Sequence, residues 1–389
     1  MSNLNYRLRP DFMNRSEERS LELREVVNRQ AIDVAPAVRA LTPYEAVTSQ
    51  SAIEARPDGE TTFKLDWNEA TIAPSPRVNE AIQAYLSGNR DLNWYPQLGS
   101  KDLLGALEGY TGLSSEHLMA SNGSDDALQL ICNTFLSEGD EVVAPVPTYN
   151  HFVVFAQSRG AKITKVQGDS PFDKNLEGIY EAMSPDTRIL YLVSPNNPTG
   201  KVLDPEDVEG LCRAYPRTLV ILDEAYFEFA QTTGIELVRE YPNLIVTRTF
   251  SKAFGLAGLR VGYLAADPDL VEGLSRIYNP KSVNALGQVG AIAALNDLDY
   301  LNDFLAEVEE SKELLRDFFA SKNAEAYITP ANFVVVRVPQ ISDTLGQLEQ
   351  RGVYVRDRSS YPGLEGCLRM SVGTVEQTEC LLERLEEVF

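Results

Sequence analysis

The sequence predicts an α/β protein with a large domain on a mostly parallel sheet, helices on both faces, and a smaller α+β domain after it. Three observations carry this. Between about residues 115 and 280, short apolar runs alternate with helical stretches, at 141–144, 162–166, 188–193, 218–222, 244–247 and 260–264. Near-continuous runs of Val, Ile and Leu separated by helices are what strands buried on both faces require. After about Pro280 the pattern changes to long helices with a few strands, and 389 residues are enough for two cores.

The elements follow in order. Residues 1–35 read as an N-terminal extension, with a helix over 16–30 that puts Leu23, Val26 and Val27 on one side and Glu25 four before Arg29. Residues 36–70 form a segment that packs on the small domain, turning at Thr42-Pro43 and carrying Tyr44. The large domain spans 71–280. Ahead of it a short strand begins at Phe63, and a Pro-rich loop, a helix and an aromatic loop NWYPQ at 93–97 follow. Ser121-Asn-Gly-Ser-Asp-Asp126 opens a helix whose apolar face is Leu128, Ile131, Cys132, Phe135 and Leu136, spaced three and four apart. The small domain, 281–389, has a charged helix over 300–322, a strand at 333–338 and a helix at 344–350. Strands at 353–356 and 368–372 and a closing helix complete it.

Composition removes several function classes. A formal charge of −22 opposes a nucleic-acid or anionic-membrane surface, since phosphate groups demand a basic face. Cys132, Cys212, Cys367 and Cys380 lie in apolar periodic runs without CxxC spacing and read as core residues of a protein in a reducing compartment. Two histidines, His117 and His151, are too few for a His-rich metal site, so no metal is expected. The first thirty residues mix Arg with Asp and Glu and lack an apolar core for export, so a cytoplasmic protein is expected.

Chemistry concentrates just after the strand runs, where open α/β sheets bind ligands. Gly123-Ser124-Asp125 opens a helix, whose first N–H groups and dipole hold an anion. SPNNPTG at 194–200 supplies rigid turns and the amide of Asn197, and Asp223 ends a buried strand three residues before Tyr226. Lys252 lies in a loop with Thr249, Ser251 and Arg260, two hydroxyls and a guanidinium suited to a phosphate. A lysine crowded by a guanidinium and partly withdrawn from water is a nucleophile. Singly, each piece has a plain reading: a surface lysine paired with an acid, a turn, a helix cap, or for Tyr149 in PTYN a core aromatic. Jointly they match pyridoxal phosphate. Asp223 would keep the ring nitrogen protonated, Asn197 and Tyr226 would hold the ring oxygen, and Tyr149 would cover the ring.

With those motifs in hand, the chain from about Val38 onward resembles the fold-type I pyridoxal-phosphate aminotransferases. SPNNPTG, DEAY and TFSKAFGLAGLRVGY carry the broad resemblance. LTPYEAV, NWYPQ, SNGSDD, PTYNHF and the pair VRD with CLRMSVGT make it most similar to the histidinol-phosphate aminotransferases within them. The resemblance implies a mostly parallel seven-stranded sheet and Lys252 as the Schiff-base and proton-transfer lysine. It implies Asp223 as pyridinium partner, Asn197 and Tyr226 at the ring oxygen and Tyr149 on the ring. Gly123, Ser124, Asp125, Thr249, Ser251 and Arg260 would hold the cofactor phosphate. Arg369 would hold the anionic end of the substrate, with Arg356 and Tyr44 as further contacts, and Tyr95 would be lent by the second subunit of a homodimer. One departure falls on the substrate side: the family commonly has Asn-Pro-Tyr-Gly where this chain has Asn68-Glu-Ala-Thr-Ile-Ala73.

The expected activity is transfer of an amino group from L-glutamate to imidazole-acetol phosphate, giving L-histidinol phosphate by ping-pong chemistry. The alternatives are an aromatic or other amino-acid aminotransferase, a decarboxylase like the threonine-phosphate enzyme, and a non-catalytic effector-binding module. The last is disfavoured by the acidic chain and its short extension.

Overall fold

The structure, a computed structural model, describes residues 33–43, 62–88 and 92–389. The helix expected over 16–30, and Tyr44 with its packing on the small domain, lie outside the described residues. Of the described residues, 33–41 belong to a unit of their own, in which Pro36–Arg39 is one helical turn started by a proline at its first position. All that follows concerns the unit from Thr42 to Phe389.

After the two-residue strand β1 (Phe63–Lys64) come β2 (Leu118–Ser121), β3 (Glu141–Val146), β4 (Lys162–Gln167), β5 (Thr187–Val193), β6 (Leu219–Asp223), β7 (Leu244–Thr249) and β8 (Gly262–Ala266). The last seven form one sheet in the order β2-β8-β7-β6-β5-β3-β4, parallel except for β8, which runs against both neighbours. This is the mostly parallel seven-stranded sheet flanked by helices. Two-residue alternation sends Leu190, Leu192, Val220 and Leu222 to one face and Ile189, Tyr191, Val193 and Ile221 to the other. Helices Lys101–Thr111 and Ala285–Leu295 cover the first face, and Ser124–Phe135 and Asn150–Ser158 cover the second. Leu128, Ile131 and Cys132 of the expected helical face are fully buried.

Two strands of this region depart from the sequence expectation. β2 was not foreseen because its four residues, LMAS, show no period; pairing with β8, from Leu118↔Ala265 to Ser121↔Gly262, makes it extended. β8 starts at Gly262 instead of residue 260, because Arg260 has φ +54°, a left-handed turn that no strand accommodates.

The C-terminal part adds β9 (Ala326–Ile328), β10 (Phe333–Arg337), β11 (Val353–Tyr354), β12 (Arg356–Asp357) and β13 (Cys367–Ser371). Their antiparallel sheet has the order β12-β13-β10-β9. The strand expected at 353–356 is divided between two sheets: β11 pairs in parallel with β1, whereas Arg356 pairs with Arg369 of β13. Val334, Val336, Leu368 and Met370 face helices Leu298–Ser321 and Val375–Leu385. Phe333, Val335 and Cys367 face the other way, onto Tyr226. Three cysteines are buried and all four are free, but Cys380 is exposed on the closing helix, which corrects its reading as a core residue.

Beneath the sheet's functional edge lies a buried ion pair. Arg248 donates from Nε to Glu224 Oε2 at 2.9 Å and from Nη1 to the Tyr263 hydroxyl at 3.2 Å, with its guanidinium 3.4 Å from the Phe227 ring centre. Glu224 Oε1 also accepts from the Gly234 amide at 2.7 Å. Both ends of the pair are almost completely buried, so truncating one strands the other charge in the core. Arg248→Met should therefore cost roughly 3 to 5 kcal/mol in urea unfolding, as for other broken buried pairs. A loss below about 1 kcal/mol, the level of an exposed pair, would show that the pair does not brace the sheet.

Candidate active site

The carboxyl ends of β5, β6 and β7 lie side by side, with Val193 opposite Asp223 and Asp223 opposite Thr247. The ladder runs one step further, as Ser194 N donates to Asp223 O at 2.9 Å and Glu224 N to Thr247 O at 2.8 Å. SPNNPTG, Asp223 and the lysine loop thus leave the sheet in one row.

Beside that row the structure builds an anion recess. A Cβ on Gly262 would lie 2.6 Å from Ser124 N and 2.8 Å from Arg248 O, so only glycine lets the start of helix Ser124–Phe135 come this close to the sheet. Gly123, at φ +82°, caps that helix, and a side chain there would meet Arg260 Nη2 at 2.6 Å. Arg260 reaches Asp125 Oδ2 at 3.5 Å and Ser251 Oγ at 3.4 Å. The Thr249 hydroxyl donates to Ser251 Oγ at 2.9 Å and accepts the Ser251 amide at 3.1 Å. Helix N–H groups, two hydroxyls and a guanidinium converge on one space, the donor set of a phosphate cup.

Asp223 is buried: Oδ2 accepts from the Tyr191 hydroxyl at 2.9 Å, while Oδ1 has no hydrogen-bond partner of good geometry among the described residues. Burial pushes its carboxyl up to about 7, against the hydrogen bond from Tyr191, with the charge of Asp125 adding to the rise. Tyr191 is itself fully buried and stacked on Phe152 at 3.9 Å between ring centres. Sequence reasoning passed it over as a strand residue; the available signal was a phenol in the middle of a buried run, whose hydroxyl must find a partner. Tyr149 donates to Asp125 Oδ1 at 2.7 Å and touches His151 Nδ1 at 2.9 Å.

Lys252 Nζ donates to Trp67 O at 2.8 Å and lies 5.8 Å from the Tyr226 ring centre. The Tyr226 hydroxyl accepts from Asn68 Nδ2 at 3.0 Å, which leaves its own proton available. Arg369, buried on β13, donates to Asn197 Oδ1 and to Asp66 O, both at 2.6 Å, so the Asn197 amide nitrogen faces away as a donor. Arg356 stands directly across the ladder from Arg369. The structure thus joins Asn197, Tyr226, Lys252 and Arg369 to the row. It does not bring Tyr95 there: this side chain is 77% exposed, with Lys281 Nζ 4.6 Å from its ring. Tyr44 lies outside the described residues. A cavity of about 360 Å³ opens at Ser251 and is lined by Lys64, Glu69, Thr71 and Gln377, but none of Asp223, Tyr149 and Lys252 borders it.

A family model described as aminotransferase class I and II matches residues 60–385. This chain belongs to that family. Among its relatives, a dihydroxyacetone phosphate transaminase of Campylobacter jejuni is 36% identical over 362 residues, covering 90% of this chain and 95% of the relative. A histidinol-phosphate aminotransferase of Roseiflexus castenholzii is 37% identical over 366 residues, covering 91% and 97%. The solved histidinol-phosphate aminotransferase of Sinorhizobium meliloti, in complex with pyridoxal-5′-phosphate, superposes with a TM-score of 0.83 at 28% identity, over 92% of this chain and 98% of that one. The protein is an aminotransferase, and its unpartnered Asp223 oxygen and glycine-lined cup fit the ring nitrogen and phosphate of such a cofactor.

The Asp223 carboxyl holds a proton more tightly folded than unfolded, so the cofactor-free protein loses stability as pH rises from about 4 to about 7. Asp223→Asn removes that burden and should stabilise the cofactor-free chain by on the order of 4 kcal/mol at pH 8, and by less than about half of that at pH 5. Urea unfolding at the two pH values checks it; an equal effect at both would mean that the buried charge is not responsible.

Proposed function

We propose that this aminotransferase holds pyridoxal phosphate in the row described above and passes an amino group from L-glutamate to imidazole-acetol phosphate, forming L-histidinol phosphate. The observation that carries the cofactor is the buried, unpartnered Asp223 oxygen at the strand end beside the lysine loop. When bound, pyridoxal phosphate supplies an electron sink and a carrier for the amino group. Asp223 Oδ1 would keep the proton on its ring nitrogen, while Asn197 Nδ2 and the Tyr226 hydroxyl would hold the ring oxygen. Tyr149 would cover the ring, and Gly123, Ser124, Asp125, Thr249, Ser251 and Arg260 would hold the phosphate. Lys252 Nζ would be the general acid-base of the site, the group that takes up and returns the substrate's proton. Arg369 orients the anionic end of both substrates, and Arg356 adds its charge for the phosphate. Guanidinium forks serve carboxylate and phosphate alike.

A second reading is favoured by the dihydroxyacetone phosphate transaminase among the relatives and by the altered loop at 68–73. Dihydroxyacetone phosphate has a hydroxyl where imidazole-acetol phosphate has its ring, and both carry a ketone one carbon from the phosphate. Rates of the cofactor-loaded enzyme on the two acceptors decide between them. The histidinol-phosphate reading also expects kcat/KM for histidinol phosphate to exceed that for histidinol by at least about 100-fold, the size of one or two charge-assisted hydrogen bonds. Equal rates on histidinol and its phosphate would overturn it, and faster turnover of dihydroxyacetone phosphate would favour the second reading.

The working form is a homodimer in which Tyr95 enters the partner's site. Leu92, Trp94, Tyr95 and Leu98 are each more than half exposed within one short loop region, and a second copy of the chain is the occupant proposed for that apolar surface. Mixing Lys252→Ala, expected to lose turnover by several orders of magnitude, with Tyr95→Phe should restore more activity than either parent once subunits exchange. No gain after demonstrated exchange would place both residues in one chain's site.

A further inference from the structure

Arg356 and Arg369 do not complete the basic set on the C-terminal sheet. The β12–β13 ladder continues past Asp357↔Leu368, because Arg358 N donates to Cys367 O at 2.9 Å. Two-residue alternation therefore puts Arg356 and Arg358 on the face that carries Cys367 and Arg369. That face is turned toward the lysine row: Cys367 packs in one cluster with Tyr226 and Phe333, and Arg369 lies 5.5 Å from the Phe333 ring centre and reaches Asn197. The Arg358 guanidinium lies 5.8 Å from the ring centre of Tyr361, which packs against the same cluster.

Three guanidiniums on one face repel one another, and cross-strand like charges are destabilising unless an anion lies between them. Arg369 registers this: burial first, then Arg358, and after it Arg356, hold its guanidinium down to about 9. Its Nε is buried without a hydrogen-bond partner among the described residues. One carboxylate takes one guanidinium fork, whereas a phosphate monoester offers three oxygens and up to two charges.

We propose that Arg358 is a specificity-determining residue, the third guanidinium of a subsite that selects a phosphate-monoester substrate over a carboxylate. This rests on the reading that the acceptor carries a phosphate. Glutamate needs only Arg369, so Arg358 leaves the donor half-reaction nearly untouched.

The test uses the cofactor-loaded enzyme, whose cofactor phosphate already fills its own cup. Arg358→Gln should lower kcat/KM for histidinol phosphate by about 10-fold or more and change the glutamate half-reaction by less than about 2-fold. Arg358→Lys should recover part of the loss through its charge. Calorimetric binding of inorganic phosphate should weaken in parallel, a readout that does not depend on turnover, and thermal melting checks that each variant is folded. Equal losses in both half-reactions, or none in either, would overturn the proposal. If wild type fails to prefer histidinol phosphate over histidinol, the proposed acceptor is wrong, and the phosphate titration then judges Arg358 by itself. Weaker phosphate binding in Arg358→Gln sustains its role, and unchanged binding ends it.

Discussion

The parallel ladder that sets Val193, Asp223 and Thr247 abreast is the constraint on which the site depends. Backbone hydrogen bonds between buried strands leave no room for a shift, because a one-residue slip would send every apolar side chain to the opposite face. With the register held, the residues after each strand end are held too. An amide, a carboxylate and a lysine loop emerge as neighbours although more than fifty residues separate Asn197 from Lys252. The buried Arg248–Glu224 pair, one residue before Thr249 and one after Asp223, fastens the same two strand ends from below.

A second constraint acts across the two sheets. The segment 65–68 is gripped from both sides: Lys252 donates to Trp67 O, Arg369 to Asp66 O and Asn332 to Asn68 O, while Asn68 donates to Tyr226. Ser371 of β13 adds its amide to Leu65 O at 2.9 Å. This short stretch is the seam between the carboxylate side and the guanidinium side of the site.

Electrostatics divide the same way. The seven-stranded sheet contributes a buried carboxylate with an open oxygen, which suits a cationic ring nitrogen, and the C-terminal sheet contributes crowded guanidiniums, which suit an anion. A buried carboxylate is costly without an opposite charge, so cation binding at Asp223 and stability are coupled.

The sequence by itself determined the apolar strands and the polar residues placed just beyond them. Buried parallel strands must be continuous in Val, Ile and Leu, so Asp223 after LVIL and Lys252 after LIVT stand out in the linear text. Gly123 of the cup and the motifs of the family were legible for the same reason, as local requirements written into local residues, whereas the role of Gly262 depends on the approach of Ser124. Tertiary structure decided what depends on partners distant in the chain. Tyr191 matters because Asp223 lies 32 residues on, and Asn68 because Tyr226 lies 158 residues on. β2 and β9 exist because neighbours recruit them, and 353–356 divides because β1 and β13 each claim one end. Arg358 falls on the same face as Arg369 through register alone. Local periodicity specifies an element and its buried face, but which faces meet is set by packing between segments far apart in the chain.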